Sequence, residues 1–310
     1  MGHASRMYAL ARVLASYGVH ITFETVTPAL CTFVAPFPTR MVTGRTLVIK
    51  DPVYISDYGH RPEDESGYAN IYNRLREHGI LIVRIDEPYA DRGTADLLVL
   101  PNMHTPSYTI DHLATAFSDR LLAGPEYVML PQEVTALAPI PYAEHVAGPI
   151  VFCAGGSDPG GVLKHMEAWS GSLLCDVRKI FLHGEYAERA YPAVPRHNIV
   201  HIPFERQALR TAALVVTTFG QLVYECLWLH TPVLVIGHTE QHCAAAQELD
   251  WQEGGIAYLG DSRRLTGADF AATLTTYWHR QDIRQSMHEA TMGLLDGHGA
   301  ERVAERILSL

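Results

Sequence analysis

The sequence predicts an α/β protein of two domains, each built on a parallel sheet. Short apolar runs alternate with amphipathic helical segments in both halves of the chain. In the second half, glycine-bearing turns follow two of those runs, at 155–158 and 217–221. The length of 310 residues, 47% of them hydrophobic and 19% charged, suits about two domains with sizeable cores.

The first helix opens at Gly2-His3, carries Tyr8, Leu10, Ala11, Leu14 and Ala15 on its apolar side, and stops at Gly18. A helix opening at a glycine turn in an α/β protein ordinarily follows a strand, and none stands ahead of this one. Either the chain starts late, or the sheet lacks its first strand, or another segment fills that place. Strands are predicted over 20–23, 46–49, 80–85, 96–100 and 127–130, with a helix over 69–78. The segment 136–148, punctuated by Pro139 and Pro141, reads as a linker.

The second domain opens with a strand at 150–153 and a helix at 162–172, then strands at 179–182 and 199–202 and a helix at 204–212. Its centre is 214–255: a strand at 214–216, a glycine turn, a helix over 221–230, a strand at 233–236 and a helix over 241–251. Helices over 265–278, 283–294 and 300–310 close the chain. The domain bounds are therefore 1–135, a linker over 136–148, 149–294, and a terminal helix in 295–310.

Composition narrows the function. A formal net charge of -10 argues against a nucleic-acid binder working through a basic face. It leaves room for a small anionic ligand, because helix N-termini and loop amides hold phosphates without net positive charge. The five cysteines include no CxxC pair; Cys153 and Cys226 sit in apolar runs and read as small buried hydrophobes, which fits a reducing cytoplasm. No apolar run approaches the ~18 residues of a membrane span. The seventeen histidines form no HExxH or paired Cys/His spacing, so no metal is expected. GxxxxGK[ST] and GxGxxG are both missing, which removes a P-loop kinase and leaves a hydride-transferring dehydrogenase unsupported; no cofactor is expected.

The candidate site residues gather at strand ends. Gly155, Gly156, Ser157 and Asp158 form one glycine turn, and Thr217, Thr218, Gly220 and Gln221 belong to the other. Two such turns in one sheet can hold the two sides of a diphosphate, or serve only as tight connections. Glu225 lies one helical turn further on, where a carboxylate reaches a ribose diol. Phe204, Glu240 and Gln241 lie at other strand ends of this domain; the last two would read a sugar or base edge, or cap a helix. Asp158 reads equally as an N-cap. In the first half, His3 at a helix start is the candidate base, kept neutral by the helix dipole. Arg6 would meet an acid or a phosphate. Asp51, Tyr54, Asp86 and Asn102 lie at strand ends, where ligand groups and turn formers both gather.

These residues fall into ordered motifs. Gly2-His3-Ala4-Ser5-Arg6…Leu10-Ala11 resembles a GHxxR…LA motif, and Gly155-Gly156-Ser157-Asp158-Pro159 a GG[ST]D(P) turn. The run 217–225 with Glu240-Gln241 resembles a uridine-nucleotide segment, and 296–303 resembles a DGxGAxRV tail. Nearly end to end, the chain resembles the UDP-2,4-diacetamido-2,4,6-trideoxy-β-L-altropyranose hydrolases of pseudaminic acid biosynthesis and their spore-coat polysaccharide relatives. The resemblance implies a GT-B-like fold: two Rossmann-like domains facing a cleft, UDP held by the second, catalytic groups presented by the first, and the last helix crossing back. It implies a UDP-linked amino sugar as substrate and His3 as the base that activates water at the anomeric carbon. UDP would leave with inversion and without a metal, its diphosphate steadied by glycine-turn amides. On this reading the catalytic set is His3, Asp51 and Tyr54. Two departures stand out: the DxYG turn reads Asp51-Pro52-Val53-Tyr54, and Glu240-Gln241 replaces the usual Asn-Gln or Arg-Gln. Two other readings are a glycosyltransferase on the same fold, using an acceptor hydroxyl in place of water, and a nucleotide-sugar-binding protein without catalysis.

Overall fold

The computed structural model describes residues 2–25, 28–41, 53–57, 65–90, 93–158, 160–187, 197–251 and 255–310. The strands are β1 (Phe23–Thr25), β2 (Thr39–Met41), β3 (Val53–Asp57), β4 (Leu81–Ile85), β5 (Leu97–Leu100) and β6 (Leu121–Ala123). They continue as β7 (Ile150–Cys153), β8 (Lys179–His183), β9 (Ile199–Pro203), β10 (Leu214–Thr218), β11 (Val233–Gly237) and β12 (Ile256–Asp261). The helices are α1 (Gly2–Ser16), α2 (Pro28–Phe33), α3 (Glu65–Glu77), α4 (Ser107–Phe117), α5 (Gln132–Thr135), α6 (Tyr142–His145) and α7 (Val162–Ser170). Then follow α8 (Arg206–Arg210), α9 (Gln221–Trp228), α10 (Glu240–Trp251), α11 (Gly267–His279), α12 (Gln281–Ala290) and α13 (Gly299–Leu308). The chain divides into an N-terminal unit, His3–Pro131 with Gly297–Leu310, and a C-terminal unit, Gln132–Asp296 with Met1–Gly2.

The N-terminal unit holds a four-stranded parallel sheet, β3-β4-β5-β6, and a separate parallel pair, β1-β2. The run Leu97-Leu98-Val99-Leu100 is apolar throughout because both faces of β5 are covered, as parallel sheets require. Leu97 and Val99 pack with Leu10 and Leu14 of α1 and with Val303 and Ile307 of α13. Leu98 and Leu100 pack on the other face with Leu113 and Phe117 of α4.

Several elements differ from the sequence reading. Residues 127–130 form no strand; β6 comes earlier, at 121–123. The later run is apolar because it packs beside α13: Met129 joins the core with Val303, and a Cβ on Gly299 would stand 2.2 Å from the Val128 carbonyl. The first strand lies at 23–25, not 20–23, since Val19 and Ile21 pack on the core cluster of α1. β2, β12 and helix α4 are elements that the sequence reading did not find. The expected strand at 46–49 lies outside the described residues.

The C-terminal unit is one six-stranded parallel sheet in the order β12-β11-β10-β7-β8-β9. Strands β7, β8, β10 and β11 are buried along their whole length. Phe152 of β7 stacks on Phe181 of β8 with centroids 4.6 Å apart. The proline-rich segment after α5 is pinned to this unit. Trp228 Nε1 donates to the Val134 and Leu137 carbonyls at 3.1 and 3.2 Å, and Arg210 Nε donates to the Ala138 carbonyl at 2.7 Å.

A histidine cluster closes this seam. His145 is fully buried, its Nδ1 2.7 Å from the Ala212 carbonyl oxygen, with its ring 5.4 Å from that of His288, which also packs on His230 at 5.6 Å. Burial pushes the His145 pKa down to about 4, and neighbouring His288, His230 and Arg210 add to the shift. The folded pKa is lowered, so the native state binds fewer protons than the unfolded chain once pH falls below the ordinary histidine value of about 6.5. Stability is therefore full above that value and declines as pH falls towards 4. His145→Asn is expected to remove about 2 kcal/mol of the stability difference between pH 7.5 and pH 5, measured by urea unfolding at both. Equal pH slopes in wild type and variant would contradict this.

Candidate functional site

In the C-terminal unit, strand order sets the site. From β7 the chain moves outward through β8 and β9, then crosses to the other side of β7 for β10, β11 and β12. The direction reverses between β7 and β10, and ligands of open α/β sheets bind outside the carboxyl ends of strands at such a point. The two glycine turns leave the sheet there. Gly155 takes φ 77°, a left-handed conformation that costs glycine little, and a Cβ on it would stand 3.8 Å from Thr218 Oγ1. The turns after β7 and β10 are thus neighbours, as Thr217 lies opposite Cys153 in the ladder.

A residue that the sequence reading missed, Gly184, shapes this crest. It follows β8, and a Cβ there would stand 2.3 and 2.5 Å from the carbonyl oxygens of Gly155 and Gly156. Only glycine lets the β8 end approach the turn this closely. The sequence signal was a glycine directly after an apolar strand.

Other residues of the set have definite partners. Asp158 accepts from the backbone N–H groups of Val162 and Leu163 at 2.8 and 3.1 Å, so it caps α7. Burial holds its carboxyl above the usual value against those two bonds. Glu225 is buried, and its Oε2 lies 3.0 Å from Arg206 Nε. Burial raises its pKa, with Arg206 opposing. The ribose contact expected of Glu225 therefore has to compete with an ion pair. Arg206, which the sequence reading did not single out, in turn lies 5.4 Å over the Phe204 ring. Glu240 and Gln241 are exposed in the first turn of α10, Gln221 opens α9, and Ser157 and Gly220 lie in their turns.

The N-terminal unit contains a charge cluster built from α1 and the ends of β3 and β4. His3 Nδ1 lies 2.7 Å from Asp57 Oδ1. Arg6, one helical turn on, donates from Nε and Nη2 to the two Asp57 oxygens at 2.6 and 2.5 Å, and its Nη2 lies 2.9 Å from Asp86 Oδ2. Asn102, at the end of β5, donates from its Nδ2 to Asp86 Oδ1 at 2.8 Å, and its own Oδ1 accepts from the Thr105 N–H and hydroxyl. Asp86 takes φ 58° at its turn. Burial alone would raise the Asp86 pKa; Arg6, His104 and His3 together outweigh it, and the carboxyl lies below the ordinary range.

Arg6 Nη2 is also 2.7 Å from His3 Nδ1, and this fixes two exclusive tautomers. When Nδ1 carries the proton, it donates to Asp57 and Nε2 is a bare base. When Nδ1 is bare, it accepts from Arg6 and Nε2 carries the proton. The His3 side chain is 46% exposed, whereas that of Asp57 is 3% exposed, so the ring reaches solvent from a buried anchor.

Of the predicted catalytic set, His3 lies in this cluster. Tyr54 lies inside β3 and packs on the Tyr72–Ile82 side of the sheet, while Asp51 lies outside the described residues. The strand-end acid is Asp57, six residues later. The sequence did signal it: Asp57 ends the run after Val53 and stands before Tyr58-Gly59. Arg6 is committed to two carboxylates and is not open to a phosphate.

No protein-family description and no curated protein sequence matches the chain. Solved structures do. The glycosyltransferase of kitacinnamycin is 13% identical with a TM-score of 0.66, the match covering 98% of this chain and 95% of that one. MnaA of S. aureus, in a co-structure with UDP, is 10% identical with a TM-score of 0.65, over 99% and 94%. MurG of Acinetobacter baumannii is 12% identical with a TM-score of 0.61, over 100% and 96%. At these identities the likeness is one of fold, and the fold is α/β and GT-B-like.

Replacing Arg6 tests the cluster. Arg6→Met leaves Asp57 and Asp86 buried without their shared cation and is expected to destabilise the chain by about 3–5 kcal/mol in urea unfolding. Adding Asp57→Asn and Asp86→Asn is expected to recover part of the loss. A cost below about 1 kcal/mol for the single variant, the range of a surface pair, would contradict the geometry.

Proposed function

We propose that the chain is a nucleotide-sugar enzyme that breaks the anomeric C–O bond and passes the sugar to an acceptor hydroxyl. The observation that carries this is the His3–Asp57 pair at 2.7 Å: an imidazole anchored at Nδ1 is a base at Nε2. The acceptor O–H proton goes to Nε2 as its oxygen attacks the anomeric carbon. The bond to the diphosphate oxygen breaks, and its electron pair leaves with the nucleotide. Asp57 stabilises the imidazolium, and Arg6 holds Asp57. The turns at 155–158 and 217–221, with α9 starting at Gln221, offer backbone N–H groups to the leaving diphosphate. The kitacinnamycin glycosyltransferase supports transfer, and the UDP in the MnaA co-structure supports the nucleotide.

A second reading, hydrolysis of a UDP-linked diacetamido-trideoxy sugar, rests on the ordered motifs GHxxR, GG[ST]D and DGxGAxRV. Water then replaces the acceptor, with the same base.

Mass spectrometry of products from a panel of UDP-activated amino sugars, with and without acceptor alcohols, separates the readings. Transfer predicts UDP release that depends on acceptor. His3→Gln and Asp57→Asn are expected to lower kcat by roughly 10²–10⁴-fold with KM little changed. Full-rate UDP release without acceptor makes the chain a hydrolase. A rise in Tm with UDP but no turnover makes it a binding protein and refutes both.

A further inference from the structure

The His3 cluster occupies one face of the N-terminal sheet. A second polar network lies on the opposite face, behind the same two strand ends. Ser56 precedes Asp57 in β3 and stands opposite Arg84 of β4 in the ladder. Side chains alternate along a strand, so Ser56 and Arg84 share the face turned away from Asp57. Tyr72 of α3 and Ile82 pack on that face, whereas Val83 and Ile85 pack with Leu10 of α1 on the other. Glu87 follows Asp86 and joins the Ser56 side. Its Oε1 accepts from Ser56 Oγ at 2.9 Å, and its Oε2 accepts from Arg84 Nε at 2.6 Å and also from Arg84 Nη2. Arg84 Nη1 donates to Thr94 Oγ1 at 2.5 Å, and the guanidinium lies 4.7 Å over the Tyr72 ring. The Tyr72 hydroxyl donates to Ser56 Oγ at 3.3 Å.

Glu87 is 0% exposed, Ser56 3% and Arg84 5%. A buried ion pair adds little stability over apolar residues of the same volume, so what it supplies here is geometry. The dipeptides Ser56-Asp57 and Asp86-Glu87 are each held from both faces. Arg6 bridges Asp57 and Asp86 on one, and Ser56 bonds Glu87 on the other. Between the two networks Asp86 is kept at φ 58°, a left-handed conformation that surrounding contacts must impose on a residue other than glycine. The position of Asp57 matters in detail. His3 Nδ1 stands 2.7 Å from both Asp57 Oδ1 and Arg6 Nη2, so a small retreat of Asp57 hands the ring to Arg6 and moves its proton to Nε2.

We propose, on the functional reading above, that Glu87 is a positioning residue for the His3 base and acts through Ser56 and the backbone of Asp57. Fully buried, Glu87 meets no substrate. It ties the carboxyl end of β3 to the turn after β4, and so sets where the Asp57 carboxylate stands against His3. Ser56 is the link, since its hydroxyl is one residue from Asp57 and bonds Glu87 directly.

The test compares Ser56→Ala, which removes the link and leaves the Arg84–Glu87 pair in place, with Glu87→Gln and with Ile82→Val. The last loses a buried methylene on the same face of β4 and controls for stability alone. Long-range proton–nitrogen NMR of the ¹⁵N-histidine-labelled chains reads the neutral His3 tautomer, and kcat and KM for UDP release are measured beside it. Wild type and Ile82→Val are expected to carry the proton on Nδ1. Ser56→Ala and Glu87→Gln are expected to show mixed tautomers and a kcat lowered about tenfold or more with KM little changed. Should Glu87→Gln fail to fold, Ser56→Ala decides. A folded Ser56→Ala chain with the wild-type tautomer, or with undiminished kcat, overturns the proposal, as does an equal tautomer change in Ile82→Val. The tautomer needs no substrate: if the wild-type chain turns nothing over, the functional reading fails, and the NMR comparison still decides whether Glu87 positions the ring.

Discussion

The N-terminal unit depends on the buried guanidinium of Arg6. Arg6 is 8% exposed and is held by Asp57 and Asp86 from the ends of two adjacent strands, β3 and β4. A guanidinium removed from water is costly unless its donors are met, and a fork facing two carboxylates meets them. Burial would lower the Arg6 pKa; the two carboxylates more than reverse this, so the charge is permanent. The clamp fixes the first turn of α1 to the sheet, and His3, three residues earlier, inherits its position. Asn102 extends the fixation to β5. Positioning by a rigid buried cluster is what a catalytic base requires.

The C-terminal unit solves its problem with space. Between β7 and β10 the sheet reverses its order of travel, and Gly155, Gly184 and Gly220 keep side chains out of the crest above that point. Polar side chains near it are largely committed to one another. Asp158 caps α7 and Glu225 pairs with Arg206, so in the function proposed here backbone N–H groups and the start of α9 hold the anion. Division of labour follows from this chemistry: fixed amides suit a diphosphate whose charge is permanent, whereas a titrating imidazole suits a proton that moves.

Fold class was legible because parallel strands buried on both faces read as unbroken apolar runs, as at 97–100, 150–153 and 233–236. The run at 127–130 shows the limit. It is equally apolar, but it packs beside α13 instead of joining the sheet, and periodicity does not tell these apart. At the site, motifs found the backbone features and His3, because glycine and a helix start have local causes. They missed Asp57, Arg206 and Gly184, whose roles come from partners 54, 19 and about 29 residues away in sequence.

The central claim is that Asp57 selects the His3 tautomer with a bare Nε2, although Arg6 stands at the same distance from Nδ1. Long-range proton–nitrogen NMR of the chain labelled with ¹⁵N-histidine reads this directly when the ring is neutral. The account predicts a protonated Nδ1 and a bare Nε2, inverted or mixed in Asp57→Asn. A protonated Nε2 in the wild-type protein would mean that Arg6, not Asp57, orients the ring, and that His3 is not the base.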